Sequence, residues 1–117
     1  MNRLIDFEQG LKHCDQQHRI YQAVLQQFLS QYQHQGIDPD AMLQSVDHAR
    51  LELHTLKGLC ATIGAMRLSQ LAASSYQHWS SLSHATATTE LNAIASELTA
   101  VVQAIENYLT TNQSLNF

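Results

Sequence analysis

The residues of this sequence that are best suited to chemistry lie between positions 54 and 58, where His54 is followed by Lys57 and Gly58. A solvent-exposed imidazole is mostly neutral at pH 7.5, and the neutral ring is a nucleophile. If this segment is helical, Lys57 lies one turn from His54 and can place an ammonium beside an anion bound to the ring. Gly58 lies one turn away on the same face. This combination suits the acceptance of a phosphoryl group on a ring nitrogen.

A helical wheel places His54 on the side of its helix that faces away from the core. At about 100° per residue, the apolar residues recur at steps of three and four and define a core stripe, and His54 lies well outside it. Glycine inside a helix costs about 1 kcal/mol relative to alanine. At position 58 it would leave the imidazole unshielded and let the surface of another protein approach. We expect the surrounding patch to bind a partner through Arg50, Leu51, Gly58 and Ala61.

The segment around His54 closely resembles the signature of histidine-containing phosphotransfer (HPt) domains. The signature is His-x-Leu-Lys-Gly, with a second glycine ten residues after the histidine and leucines beyond it. The matching residues here are Leu53-His54-Thr55-Leu56-Lys57-Gly58, then Ile63-Gly64-Ala65, Leu68 and Leu71. The resemblance extends upstream through Ile5-Asp6-Phe7, Gly10-Leu11, Asp15, Leu25 and Phe28, and it covers about residues 4–109.

The resemblance implies a small helical carrier in a multistep two-component phosphorelay. His54 would take a phosphoryl group from an aspartate of one receiver domain and pass it to another. Lys57 would offset the phosphoryl charge, and Gly58 would give access. Such a carrier is not an enzyme with its own kinase activity, and it needs no cofactor, since Mg²⁺ and the acidic pocket belong to the receiver. The partners would be receiver domains of response regulators and of a hybrid sensor histidine kinase.

The next helix departs from the family pattern. Where the family usually has Leu followed by Glu or Gln, this chain has Ser75 and Tyr76, then Gln77. A polar group at this place often orients the active imidazole, and the sequence leaves open whether Tyr76, Gln77 or neither does so. Leu59 and Cys60 also stand where small residues are frequent.

Few helix breakers and little β-branched alternation predict an all-α fold. Asp6 is expected to cap a short helix over residues 7–13, and Asp15 a longer one that ends before Gly36. Asp38-Pro39 should open a short helix through about residue 43. Three further helices are predicted over residues 46–63, 66–82 and 89–110, with a loop over 83–89 and a frayed tail over 111–117.

Amphipathic stripes on the four long helices predict an antiparallel up-down four-helix bundle with a short N-terminal helix, in a single domain over residues 1–117. The expected core residues include Ile20, Val24, Val46 and Cys60. We expect a monomer. Whether the chain is a free-standing carrier or part of a larger hybrid kinase stays open, as do the identities of its kinase and regulator.

The composition argues against several other functions. A net charge of −4, with scattered basic residues, disfavours nucleic acid as a partner. No apolar stretch is long enough to span a membrane, and the N-terminus lacks the apolar region of a signal peptide, so we expect a cytoplasmic protein without a membrane partner. Cys14 and Cys60 are expected to be reduced. The six other histidines form no pair at a spacing of three or four residues, and we expect no metal site.

A helical adaptor without a phosphoryl-carrying role is the alternative interpretation. In that case Leu51, Gly58 and Ala61 would form a docking surface and His54 would be incidental. The presence of both Lys57 and Gly58 favours the relay.

Overall fold

The computed structural model describes the backbone of residues 4–115 and the side chains of residues 4–111. Within this range the chain is helical and has no strand, as the sequence predicted. None of these helices is long and apolar enough to cross a lipid bilayer. The helices are α1 (Phe7–His13), α2 (His18–Tyr32), α3 (Pro39–Gln44), α4 (Val46–Ile63), α5 (Met66–His78) and α6 (His84–Leu115), with a short 3₁₀ helix at Trp79–Ser81.

The predicted helix ends around α1, α3 and α4 are confirmed. The carboxylate of Asp6 accepts a hydrogen bond from the amide of Gln9 at 3.0 Å, and Asp38 caps α3 in the same way. Each carboxylate satisfies a backbone donor that the first turn of a helix leaves free. Gly64 ends α4 at a φ of 94°, a left-handed conformation that glycine adopts without steric cost.

The prediction that Asp15 caps α2 is wrong. Asp15 and Gln16 both have left-handed backbone conformations, with φ of 57° and 60°, and form the turn between α1 and α2. The helix then begins at His18 after Gln17, which makes no capping hydrogen bond through its side chain. Aspartate tolerates the left-handed region better than most residues, so here it serves the turn instead of the cap. The helix ends before Gly36, as predicted.

The predicted loop over residues 83–89 is also wrong, because α6 already begins at His84. The hydroxyl of Ser83 accepts a hydrogen bond from the amide of Thr86 at 3.1 Å and so caps the helix. Thr88 donates its hydroxyl to the carbonyl of His84 within the same helix. Ser- and Thr-rich composition suggested a loop, but these hydroxyls find partners on the helix itself.

Two further helix ends differ from the prediction. Helix α5 ends at His78 rather than near residue 82, because the chain tightens into the 3₁₀ helix, where the hydroxyl of Ser81 donates to the carbonyl of His78. Helix α6 continues to Leu115, so residues 111–115 are helical rather than a frayed tail. Residues 116 and 117 lie outside the described range.

The core contains the stripe predicted for α4, with one exception at its start. Ala49, Leu53, Leu56, Cys60 and Ile63 are fully buried, whereas the side chain of Val46 is 51% exposed. In α2 the buried stripe is rotated from the expected one: Tyr21 is buried and Ile20 is 46% exposed. The buried hydroxyl of Tyr21 donates to the carbonyl of Ile63 at 2.8 Å, which attaches this face of α2 to the end of α4.

Hydrogen bonds, ion pairs and ring contacts connect the long helices at several levels. The hydroxyl of Ser69 in α5 donates to the carbonyl of Lys57 in α4 at 2.9 Å. Ser75 donates to the carboxylate of Glu90 at 2.6 Å, which joins α5 to α6. Arg67 and Glu97 join the same two helices at 3.6 Å. Rings of Tyr21 and Tyr108 meet edge to face at a centroid distance of 6.0 Å and so connect α2 with α6.

Helix α1 packs against the end of α4 by direct backbone contact. The amide of Asp6 donates to the carbonyl of Gly64 at 2.9 Å. A Cβ atom added at Gly10 would overlap the carbonyl oxygen of Ile63 and the ring of Tyr21. A Cβ atom at Gly64 would overlap the carbonyl of Asp6. Both glycines are therefore required by the close approach of two backbones.

We expect the substitution Gly10→Ala to lower the free energy of unfolding by about 1 to 3 kcal/mol, because the added methyl group must displace the backbone of α4 or the ring of Tyr21. Chemical denaturation followed by circular dichroism would measure this change. Gly58→Ala is the matched control, since nothing lies within 4 Å of its added Cβ. It should raise stability by up to about 1 kcal/mol through helix propensity. Equal stability of Gly10→Ala and the wild type would contradict this packing.

Burial raises the pKa of the Cys60 thiol to about 12. The unfolded chain ionises this thiol at about pH 8.5, so between this value and 12 the unfolded state binds fewer protons than the folded state. The contribution of the Cys60 thiol to the free energy of unfolding is therefore fully present below about pH 8.5. It decreases as the pH rises toward the pKa of the folded state. Urea denaturation at pH 7.5 and 10.5 should show the stability gap between wild type and Cys60→Ala narrowing by about 1 kcal/mol or more. A gap that does not change with pH would contradict burial of the thiol.

Candidate functional site

The core residues of α4 and the predicted site lie on different faces of the helix. Leu53 and Leu56 are fully buried, whereas His54 lies on the exposed side. The core stripe fixes the rotation of the helix, since turning it would bring apolar side chains into water at about 25 cal/mol per Å². The core therefore determines where the imidazole of His54 points.

His54 lies beside Tyr76 of α5. The centroids of the two rings are 5.7 Å apart and their planes are inclined at 43°. Within residues 4–111, neither ring nitrogen of His54 has a hydrogen-bond partner, so the lone pair that a nucleophile needs is not engaged. Of the two residues considered for orienting the imidazole, Tyr76 contacts it through its ring, while Gln77 is exposed and makes no hydrogen bond to His54 in the described part of the chain.

Arg50 lies on the same tyrosine. The central carbon of its guanidinium is 4.6 Å from the ring centroid of Tyr76, a cation–π contact. Arg50 precedes His54 by one helical turn, so both side chains lean on one ring across the seam between α4 and α5. The structure thus brings Arg50 and His54 together through a residue on a different helix.

The position of Gly58 is open. Nothing lies within 4 Å of the place where its Cβ would be, and its φ is not positive, so neither packing nor backbone conformation requires glycine there. Its carbonyl accepts a hydrogen bond from the hydroxyl of Thr62 at 3.0 Å within the helix. The fold of the chain itself therefore gives no reason for a glycine here, although glycine lowers the stability of the helix relative to alanine.

The remaining predicted residues line the same helix without contacting His54 through a ring contact, hydrogen bond or ion pair in the described part of the chain. Leu51 is 64% exposed, and Ala61 is half-buried. Lys57 is half-buried, and its backbone carbonyl receives the hydroxyl of Ser69. This bond holds α5 against α4 one turn beyond His54, and sequence reasoning missed it because a serine in a helix gives no sign of its partner.

Within the described residues, no group of three or more His, Cys, Asp or Glu side chains could hold a metal ion. The arrangement instead offers an exposed imidazole with free nitrogens, two nearby cations and an unobstructed turn of helix.

Comparison with known protein families gave a match. The family model described as the Hpt domain matches residues 15–108. No curated protein and no solved structure matched the chain.

Proposed function

The chain belongs to the Hpt domain family, whose members act in histidine phosphotransfer, and on that premise we propose that His54 is the residue that carries the phosphoryl group. In this proposal His54 accepts the group from an aspartyl phosphate of one receiver domain and passes it to an aspartate of another. The observation that carries the assignment is the exposed imidazole of His54, with unbonded nitrogens, beside an open turn at Gly58.

In the transfer, the ring of His54 is the group of this chain that forms and breaks the bond to phosphorus. The unprotonated nitrogen supplies its electron pair to phosphorus, and the bond between phosphorus and the aspartyl oxygen breaks. The electron pair of that bond stays on the aspartate carboxylate, and the other ring nitrogen keeps its proton during the attack. Passing the group onward reverses these steps with a second carboxylate as the nucleophile.

Lys57 has the role of offsetting charge in this proposal. It lies one turn from His54, where an ammonium reaches an anion on the ring. Arg50, Leu51, Gly58 and Ala61 form the surface on which receivers dock, and the exposure of Leu51 supports this assignment. Members of the Hpt family are carriers rather than kinases, and we propose that this chain likewise has no cofactor of its own, with Mg²⁺ held by the receiver.

The architecture that we propose is an antiparallel up-down bundle of α2, α4, α5 and α6. Its support comes from residue pairs that join an early position of one helix to a late position of another, such as Tyr21 with Ile63 and Glu90 with Ser75. One continuous core across all six helices supports a single domain, which we propose to act as a monomer. Cys14 and Cys60 are free thiols, in keeping with a proposed cytoplasmic location.

Incubation with a phosphorylated receiver domain and Mg²⁺ should transfer phosphate to the chain. The label should be stable to base and labile to acid, as expected for phosphohistidine, and it should disappear in His54→Gln. His48→Gln is the matched control, because His48 is an exposed histidine of the same helix, and it should be labelled like the wild type.

Equal labelling of His54→Gln and the wild type would overturn the assignment of His54. If no form is labelled while a receiver still binds both, the helical adaptor would be the correct interpretation.

Gly58→Leu should slow transfer from the receiver by tenfold or more while the chain stays folded. The added side chain faces open space and improves helix propensity, but it projects into the surface where a receiver would approach. Single-turnover transfer and thermal unfolding would be measured on the same samples, with Gly58→Ala as the smaller substitution that should transfer faster than Gly58→Leu. Transfer by Gly58→Leu at the wild-type rate would show that this turn is not approached by the partner.

A further inference from the structure

Arg50, His54 and Tyr76 form a single cluster at the seam between α4 and α5. Tyr76 contacts the imidazole at 5.7 Å between centroids and the guanidinium at 4.6 Å. Tyr76 itself is half-buried, so its ring has a restricted position against which the two side chains of α4 rest. Neither the imidazole nor the guanidinium is fixed by a hydrogen bond in the described part of the chain.

The guanidinium of Arg50 has unused hydrogen-bonding capacity. Its central carbon lies over the ring of Tyr76, and within residues 4–111 its N–H groups have no hydrogen bond or ion pair. Asp47 and Glu52, the acidic residues that precede and follow it on α4, do not pair with it in the described part of the chain. A planar guanidinium with free edges is suited to binding the oxygens of a phosphoryl group.

We propose that Arg50 is a second phosphoryl-binding residue and that Tyr76 is the positioning residue that holds Arg50 and His54 in register. This inference rests on the proposed function of His54. Arg50 precedes His54 by one turn and Lys57 follows it by one turn, so the two cations flank the imidazole along the helix. Tyr76 thus acts through packing and cation–π attraction rather than through a hydrogen bond to the imidazole.

The charge arrangement favours the loaded state of the carrier. A phosphoryl group on His54 adds negative charge one helical turn from Arg50, whose guanidinium has no acidic partner in the described part of the chain. This interaction should accelerate loading and slow the hydrolysis of phosphohistidine, because it stabilises charge on the phosphoryl oxygens. Both effects belong to the isolated carrier and need no receiver.

The test uses phosphoramidate, a small phosphoryl donor that separates chemistry from docking. In this reaction the phosphorus–nitrogen bond of the donor breaks, ammonia leaves with a proton from solvent, and a bond from phosphorus to His54 forms. We expect Arg50→Gln and Tyr76→Leu each to slow loading and to shorten the lifetime of phosphohistidine by about three- to tenfold. Tyr76→Phe should retain wild-type behaviour, because the ring is kept.

A double variant distinguishes positioning from simple loss of structure. If Tyr76 acts by holding Arg50, the combined Arg50→Gln and Tyr76→Leu variant should lose much less than the product of the two single effects. Arg19→Gln is the charge-matched control, since Arg19 is an exposed arginine of α2, and it should behave like the wild type. Circular dichroism would verify that each variant is folded, and Arg50→Gln alters an exposed side chain, so it tests the proposal even if Tyr76→Leu unfolds.

The outcomes separate this inference from the proposed function. If Arg50→Gln is loaded at His54 at the same rate as the wild type, the proposed role of Arg50 is overturned. Multiplicative losses in the double variant would overturn the role of Tyr76 in holding Arg50. Failure of the wild type to be labelled at His54 by both phosphoramidate and a phosphorylated receiver would instead overturn the proposed function.

Discussion

The contact between α1 and the end of α4 is the constraint on which the rest of the structure depends. Gly10 and Gly64 bring two backbones so close that no Cβ atom fits between them, and the amide of Asp6 donates directly to the carbonyl of Gly64. The hydroxyl of Tyr21 binds the adjacent carbonyl of Ile63, so α2 is attached at the same point. With its end held by two other helices, α4 has little freedom to rotate or slide. The exposed position of His54 follows from this restraint together with the buried stripe.

The packing of α5 against α4 forms the candidate site. A hydrogen bond from Ser69 to the carbonyl of Lys57 sets the relative height of the two helices, and the chain passes between them through only two residues, Gly64 and Ala65. Tyr76 is thereby placed beside His54 and beneath Arg50. A small axial shift of α5 would break these ring contacts. The position of the imidazole is therefore determined by helix packing rather than by hydrogen bonds to the ring.

Much of this arrangement could be predicted from the sequence, because it depends on local patterns. The steps of three and four along α4, the caps at Asp6 and Asp38, and the left-handed Gly64 are each readable from residue type and spacing. The start of α6 was not predicted, since Ser83 and the threonines after it are polar in composition yet bond within a helix. Arg50 on Tyr76 could not be predicted, because it depends on how α5 is rotated against α4. That rotation is set by the whole core and leaves no periodic signal in either helix.

At Gly58, the residue that would best stabilise the helix differs from the residue that the proposed site requires. Its conformation is ordinary, its surroundings are empty, and alanine there would improve helix propensity by about 1 kcal/mol. This glycine brings no gain in packing to offset its helical cost, which is what we expect if a partner approaches this turn in the way that we propose. The cost is tolerable because the opposite face of the same helix is fully buried at Leu53, Leu56 and Cys60. Helix α4 can thus carry a weak turn at its surface because its stability comes from the core rather than from propensity.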